Sequence, residues 1–288
     1  MRNVLRFFAI TTLLLKGAAV AATLKPETVQ AWNEYVHAAS VKMEARLHSG
    51  SPFLSIDEDE GRTAAVRGGE AYIAPGNPQN PRKVPSGLIH DWFGAEFIPG
   101  ANLAQVISTV RDYGRYKDYY CPSVIGSETL ATNGRKDRFS IVLMNNALVS
   151  KTALDSDYES SYIRVDDRRW YSVSQTTRTQ EVENYGTPDQ RLLPEDEGTG
   201  LIWRLFSIMR FEERAGGVYI EVEAIALSRD VPVSLRWVVM PIVRRVSRNS
   251  LATSLQQTGN AVRSSTSLAA RPAALPSAQG GAMLSSFR

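Results

Sequence analysis

The chain has 288 residues, 43% of them hydrophobic, and a formal charge of +3, a globular composition with one cysteine and three histidines. The positive charge belongs to the ends. Residues 1–22 carry Arg2, Arg6 and Lys16 without an acid, residues 264–288 carry Arg271 and Arg288 without an acid, and residues 23–263 stand at −2. That balance gives no support for a nucleic-acid surface, and a lone thiol excludes an intramolecular disulfide framework.

Residues 1–22 have the layout of a secretory signal peptide: a basic start, an apolar core and the small residues 18–22, with cleavage offered after Ala21 or Ala22. The alternative is a membrane anchor, but Lys16 interrupts a run already shorter than the roughly 20 residues a spanning helix needs. No later stretch is long and apolar enough to span, so no stable transmembrane segment is expected once the leader is removed. The expected location is secreted or periplasmic.

Val29, Trp32, Val36, Met43 and Leu47 recur at near-helical spacing, with Pro26 in the first turn and Gly50 closing the helix. Residues 53–57 read as a strand, 57–61 as an acidic turn, and 62–73 as a second weak strand. Four prolines mark 75–85 as a surface loop. Residues 88–98 read as a strand. Asn102 then caps a helix carrying Leu103, Val106, Ile107 and Val110, which gives way to the aromatic run 113–120. Cys121, between Tyr120 and Pro122, is in company that suits a buried thiol, with no histidine near to lower its pKa.

Strands follow at 124–130, 139–145, 148–154, 158–165 and 170–182. A loop at 184–200 precedes two more strands, 200–214 and 217–228. Pro232 opens a long terminal helix to residue 263, and 264–288 reads as a disordered Ser/Ala/Pro-rich tail. Helices set between runs of strands give an α+β fold with a mainly antiparallel sheet.

The last hairpin can be registered. With Ala215-Gly216 as its loop, Arg210 pairs with Glu221 on a wet face, and Leu205, Ser207, Met209 and Phe211 join Ile220, Val222, Ala224 and Ala226 on a dry one. The small residues Ser207, Ala224 and Ala226 leave room there for a close helix or for a ligand. The strand 170–180 is polar on both faces, which suits a solvated edge or the lining of a wet cavity. In the cavity reading Arg178 is the anchor for a carboxylate or phosphate head group.

Some tracts resemble a known group. His90-Asp91-Trp92-Phe93-Gly94 through Phe97-Ile98-Pro99, a helix, and Asp112-Tyr113 with Tyr116 and Tyr119 lead into Cys121-Pro122-Ser123-Val124. Arg229-Asp230-Val231-Pro232 then opens the helix with Trp237. This order resembles the START and Bet v 1-like (SRPBCC) helix-grip superfamily over roughly residues 26–263, as an order of elements rather than a diagnostic motif. The resemblance implies a curved antiparallel sheet wrapped around the long C-terminal helix, over a tunnel for lipids, sterols or other apolar ligands. Some relatives are cyclases or hydrolases. Pro241, inside the helix, is a departure that predicts a kink or break between Met240 and Ile242.

No metalloprotease, phosphate-loop or nucleophile-elbow motif is present, and His37 and His48 lie too far apart on one helix to share a metal. His90 and Asp91 are strand neighbours that point to opposite faces. No catalytic residue, metal or cofactor is therefore assigned.

The leading expectation is a protein that binds a hydrophobic or amphipathic small molecule, such as a lipid, between sheet and C-terminal helix. Its lining would be Leu205, Ser207, Met209, Phe211, Ile220, Val222, Ala224, Trp237 and Ile242, with Arg178 as the polar anchor. The alternatives are a cyclase- or hydrolase-like enzyme using the same cavity, and an envelope protein-interaction module without a ligand.

Overall fold

The computed structural model describes residues 22–145 and 152–269. The expected leader lies outside them except for Ala22, and so does the expected tail from residue 270 onward.

Helix α1 (Pro26–His48) starts at its proline, as expected. The two strands expected at 53–57 and 62–73 are not there. A 3-10 turn (Ser55–Glu58) and helix α2 (Glu60–Arg67) replace them. Asp59, within the acidic run, accepts a hydrogen bond from the backbone N–H of Arg62, a helix N-cap rather than a free turn. Helix α3 (Leu103–Val110) carries the reciprocal Asn102–Gln105 capping box. The aromatic run becomes a 3-10 turn and a short helix α4 (Tyr116–Tyr119).

A two-stranded pair joins β1 (Ala22–Thr23) to β10 (Glu197–Gly198). Ten further strands form one antiparallel sheet: β2 (Tyr72–Pro75), β3 (Arg82–Val84), β4 (Gly87–Pro99), β5 (Val124–Thr132), β6 (Lys136–Asn145), β7 (Thr152–Arg164), β8 (Arg169–Glu183), β9 (Arg191–Leu192), β11 (Arg204–Arg214) and β12 (Gly217–Arg229). The order is β2-β4-β12-β11-β8-β7-β6-β5, with β3 added to β4 and β9 to β8. Residues 148–151 of the strand expected at 148–154 lie outside the described residues, and from Thr152 it is continuous with the one expected at 158–165, because polar residues continue the ladder through Asp155 and Asp157.

The hairpin register is the expected one: Arg210 lies opposite Glu221. The wet face is not wet. Arg210 is 4% exposed and Glu221 0%, and they form an ion pair at 2.6 Å. Glu221 also accepts hydrogen bonds from the N–H groups of Ser55 and Ile56, each at 3.0 Å. Alternation along β12 shows the cause. Tyr219, Ile225 and Leu227 join one buried cluster with Trp32 and Met43 of α1, while Val218, Ile220 and Val222 join another with Leu255 and Val262 near the chain's end. The sheet is covered on both faces, by the N-terminal helix on one and the C-terminal helix on the other.

Helix α5 (Arg236–Ala269) follows a 3-10 turn at Val233–Leu235, with Arg236 held by both carboxylate oxygens of Asp230 at 2.9 Å. It continues past the expected end at residue 263, and it runs through Pro241 without a break. Pro241 sits in the helix's exposed first half, where the Trp237 carbonyl it leaves unpaired can turn to water. The second cluster links α5 to Ile73 and Ile98 near one edge of the sheet and to Val124 at the other, so the sheet must curve around the helix. This is an α+β helix-grip arrangement.

Candidate ligand-binding site

Helix α5 approaches the sheet closely only along its second half. A Cβ added to Gly94 would lie 2.7 Å from Leu255 and 3.1 Å from Leu251, so the absent side chain is what admits the helix. Gly259 sits over Glu96 in the same way. The close-approach positions are thus Gly94 and Gly259, not the small residues of the last hairpin. At the far side Tyr120 and Thr258 share a hydrogen bond at 2.9 Å, and Gln257 donates to the carbonyl of Cys121. Cys121 itself is exposed, contrary to its apolar neighbours' suggestion, because the turn that carries it lies outside the aromatic cluster.

The helix-facing floor of the sheet can be read as rows across the strands. Glu96, Ile220, Phe211 and Trp170 form one row, and Gly94, Val222, Met209, Ser172 and Tyr162 form the next. Then come Trp92, Ala224, Ser207, Ser174 and Ser160, and after them His90, Ala226 and Leu205, with Thr176 accepting from the Leu205 N–H at 3.1 Å. The first rows are sealed: Phe211, Ile220 and Val222 are core under the packed half of α5. In the later rows Leu205, Ser207, Ala224, Ala226, Ser174 and Thr176 are all partly exposed, although they lie on central strands. Small side chains keep this part of the floor partly uncovered, and this shallow trough is the candidate site.

The expected lining therefore divides. Leu205, Ser207 and Ala224 fall in the partly exposed rows, with Met209, itself partly exposed, at their border, whereas Phe211, Ile220 and Val222 are buried core. Trp237 and Ile242 stand 80% and 58% exposed on the unpacked first half of α5, so they do not line a closed tunnel. The edge reading of residues 170–180 is also corrected, since β8 lies between β11 and β7 in the sheet interior. Ser172, Ser174 and Thr176 are floor residues, and the Ser160 and Ser174 hydroxyls are 2.5 Å apart.

Arg178 is not an anchor in this trough. A bulge pairs Asp157 with Arg178 and Tyr158 with Thr176, which leaves Thr177 over and carries Arg178 to the other face. There its guanidinium is engaged by Asp157 at 2.9 Å, Asp155 at 2.8 Å and Gln180 at 2.7 Å. The two carboxylates hold its pKa above the usual arginine value.

Two titratable groups face α5 from β4. Glu96 has a buried oxygen without a partner, and burial pushes its pKa up to about 7 against the partial opposition of Arg263, 3.6 Å away. His90 is 2.9 Å from the Ser228 hydroxyl, and burial pushes its pKa down to about 4. As expected of strand neighbours, Asp91 points the opposite way, to the Tyr35 hydroxyl at 2.7 Å. The imidazole is thus not oriented by that carboxylate, and Ser228 is turned to the Arg229 carbonyl, an arrangement for packing rather than for activating a nucleophile. Among the described residues no three His, Cys, Asp or Glu side chains group to hold a metal.

Two further hollows lie elsewhere. One of about 270 Å³ lies on the opposite face of the sheet, between Asn33, Val36, His37 and Ser40 of α1 and strand residues that include Glu159 and Phe206. The other, about 570 Å³, is an open recess at the Arg164–Arg169 turn beside Glu212.

No family model and no curated protein matches the sequence. Solved structures do. A STAR-related lipid transfer protein from Xanthomonas axonopodis shares 15% identity over 68% of this chain and 97% of that one, with a TM-score of 0.40. Human STARD10 shares 10% over 77% and 86%, with a TM-score of 0.42. A Thermus thermophilus protein, TTHA0849, shares 14% over 60% and 97%, with a TM-score of 0.41. Scores this low assign no ligand and no activity, and the helix-grip description rests on the sheet order and helix packing given above.

Proposed function

We propose that this is an exported protein that holds an apolar or amphipathic small molecule, with lipids as the leading class, in the trough between the sheet and α5. One observation carries the reading. The centre of the helix-facing floor is built from small side chains, Ser207, Ala224, Ala226 and Ser174, that remain partly exposed while their neighbours Phe211, Ile220 and Val222 are sealed. A face meant only to be filled would carry bulk there. Apolar walls, from Leu205, Met209 and Trp92, with hydroxyls at Ser160, Ser174 and Thr176 suit a ligand with one apolar and one hydrogen-bonding edge.

Organic extraction of the purified protein followed by mass spectrometry should yield a defined apolar compound. A lipid panel should raise the melting temperature, with about 2.7 kcal/mol of stabilisation at a hundredfold excess over Kd. Ala224→Phe, which fills the trough, should abolish both. An empty extract together with no shift across the panel would refute the reading. Export is supported by the residue layout of 1–22. Cell fractionation and N-terminal sequencing should find a product beginning near residue 22 or 23 outside the cytoplasm, and an intact Met1 in the cytoplasm would overturn that part.

A further inference from the structure

Among the described residues the first half of α5 carries the most exposed large apolar side chains of any helix. Trp237 is 80% exposed, Ile242 58%, Val246 48% and Val238 42%. Val238, Ile242 and Val246 are spaced by four and form one apolar row. Trp237, Arg244 and Arg248 fall on one side of the helix two and three turns apart, beside that row, with Arg245 between. Asp230 is the last acid in the chain. Arg236 is tied to Asp230 and Arg263 lies by Glu96, whereas Arg244, Arg245 and Arg248 form no ion pair among the described residues. The second half of the helix is fixed to β4 through Leu251 and Leu255, so the exposed half is presented by a rigid support.

We propose that this half-helix docks on the surface of an anionic lipid bilayer, lying in the interface with its apolar row and Trp237 inserted and its arginines on the head groups. An apolar row flanked by unpaired arginines and an indole is the composition that interfacial helices use. Among the described residues no helix is long and apolar enough to cross a membrane, and the contact proposed is with the surface. Charge selects the occupant. A second copy would set Arg244, Arg245 and Arg248 against themselves. The three chain segments outside the described residues, 1–21, 146–151 and 270–288, are basic and carry no acid, so none complements the patch. This reading does not depend on a ligand in the trough.

The test is co-sedimentation of the full chain with vesicles of phosphatidylcholine alone or mixed with phosphatidylglycerol, at low and high salt. The protein should bind the mixed vesicles, leave the neutral ones, and be released by salt. Each arginine near an anionic surface contributes about fivefold in affinity, so Arg244→Gln with Arg245→Gln and Arg248→Gln should weaken binding roughly a hundredfold. Trp237→Ser should weaken it about tenfold. The triple lysine variant should keep its binding, which separates charge from any effect on folding. All these positions are exposed, so melting temperatures should stay at the parent value. Residues 1–21 are shared by parent and variants, and their contribution cancels in the comparison. Equal binding to neutral vesicles, no binding to the mixed ones, or a triple glutamine variant that binds like the parent would overturn the proposal. So would a dimer in solution that Trp237→Ser dissociates, which would assign the patch to a second copy.

Discussion

Glu96→Gln should stabilise the protein at neutral pH, although Glu96 lies 3.6 Å from an arginine. The ion pair argues for a carboxylate below its usual pKa, while burial argues for the reverse. Burial wins here: Arg263 is 44% exposed, the contact is near the limit for an ion pair, and the Glu96 side chain is only 12% exposed with one oxygen unpartnered. A carboxyl raised from 4.5 to about 7 corresponds to about 3 kcal/mol, and the solvent that still reaches the Glu96 side chain reduces this to about 2 kcal/mol. The sign follows from proton linkage. The folded state prefers the protonated group, so its stability contribution is complete below pH 4.5 and is lost as pH rises through about 7. Glutamine stays neutral throughout. In urea unfolding, the variant should match the parent near pH 4.5 and exceed it by about 2 kcal/mol above pH 7. A variant less stable than the parent at neutral pH, or a difference that does not change with pH, would show that the arginine outweighs burial and refute the argument.

His90 gives the opposite slope: held neutral with a pKa near 4, it supports stability above its unfolded value of 6.5 and withdraws up to about 3 kcal/mol as pH falls through 4, and His90→Asn should flatten that acid limb in denaturant titrations. Gly94→Val should destabilise by about 1–3 kcal/mol and loosen α5, seen as faster amide exchange at residues 251–262, since its side chain would meet Leu251, Leu255 and Ile73. Arg210→Met should cost about 3–5 kcal/mol in urea unfolding by leaving Glu221 buried without its cation. Adding Glu221→Leu should not restore the parent, because the N–H groups of Ser55 and Ile56 lose their acceptor. Arg178→Ala should lower the melting temperature slightly and leave ligand retention unchanged, since its partners Asp155 and Asp157 lie across from the trough.

The mainly antiparallel sheet and the last hairpin's register were legible because alternation and one charge pair constrain them: shifting Arg210 off Glu221 by one residue would reverse every face of that hairpin. The burial of that pair was not legible. Tyr219, Glu221 and Glu223 read as a solvated face because a paired, buried carboxylate has the same spelling as an exposed one. Only α1 and the Ser55–Glu58 turn, distant in sequence, distinguish them. Likewise, the extra residue at Thr177 obeys no local signal, so alternation counted through it put Arg178 on the wrong face. The trough was half legible. Ser207 and Ala224 announced missing bulk, but where α5 stops touching the sheet depends on Gly94, whose role appears only once Leu251 and Leu255 lie over it. Helix α2 was hidden by its acidic approach, where Asp59 as a cap and Asp59 as a turn residue look alike.

The cover of the sheet by helices from both ends of the chain sets a timetable for folding. Met43 meets Arg210 across 167 positions and the Ile56 N–H meets Glu221 across 165, so α1 has no finished surface to close on until the last hairpin has been made. Such distant closures fold slowly, because the chain loses loop entropy before the contacts that offset it exist. A polypeptide stopped before β11 would keep the apolar side of α1 uncovered and open to proteolysis. Resistance of residues 26–48 to a protease would then mark the moment at which the whole molecule is complete.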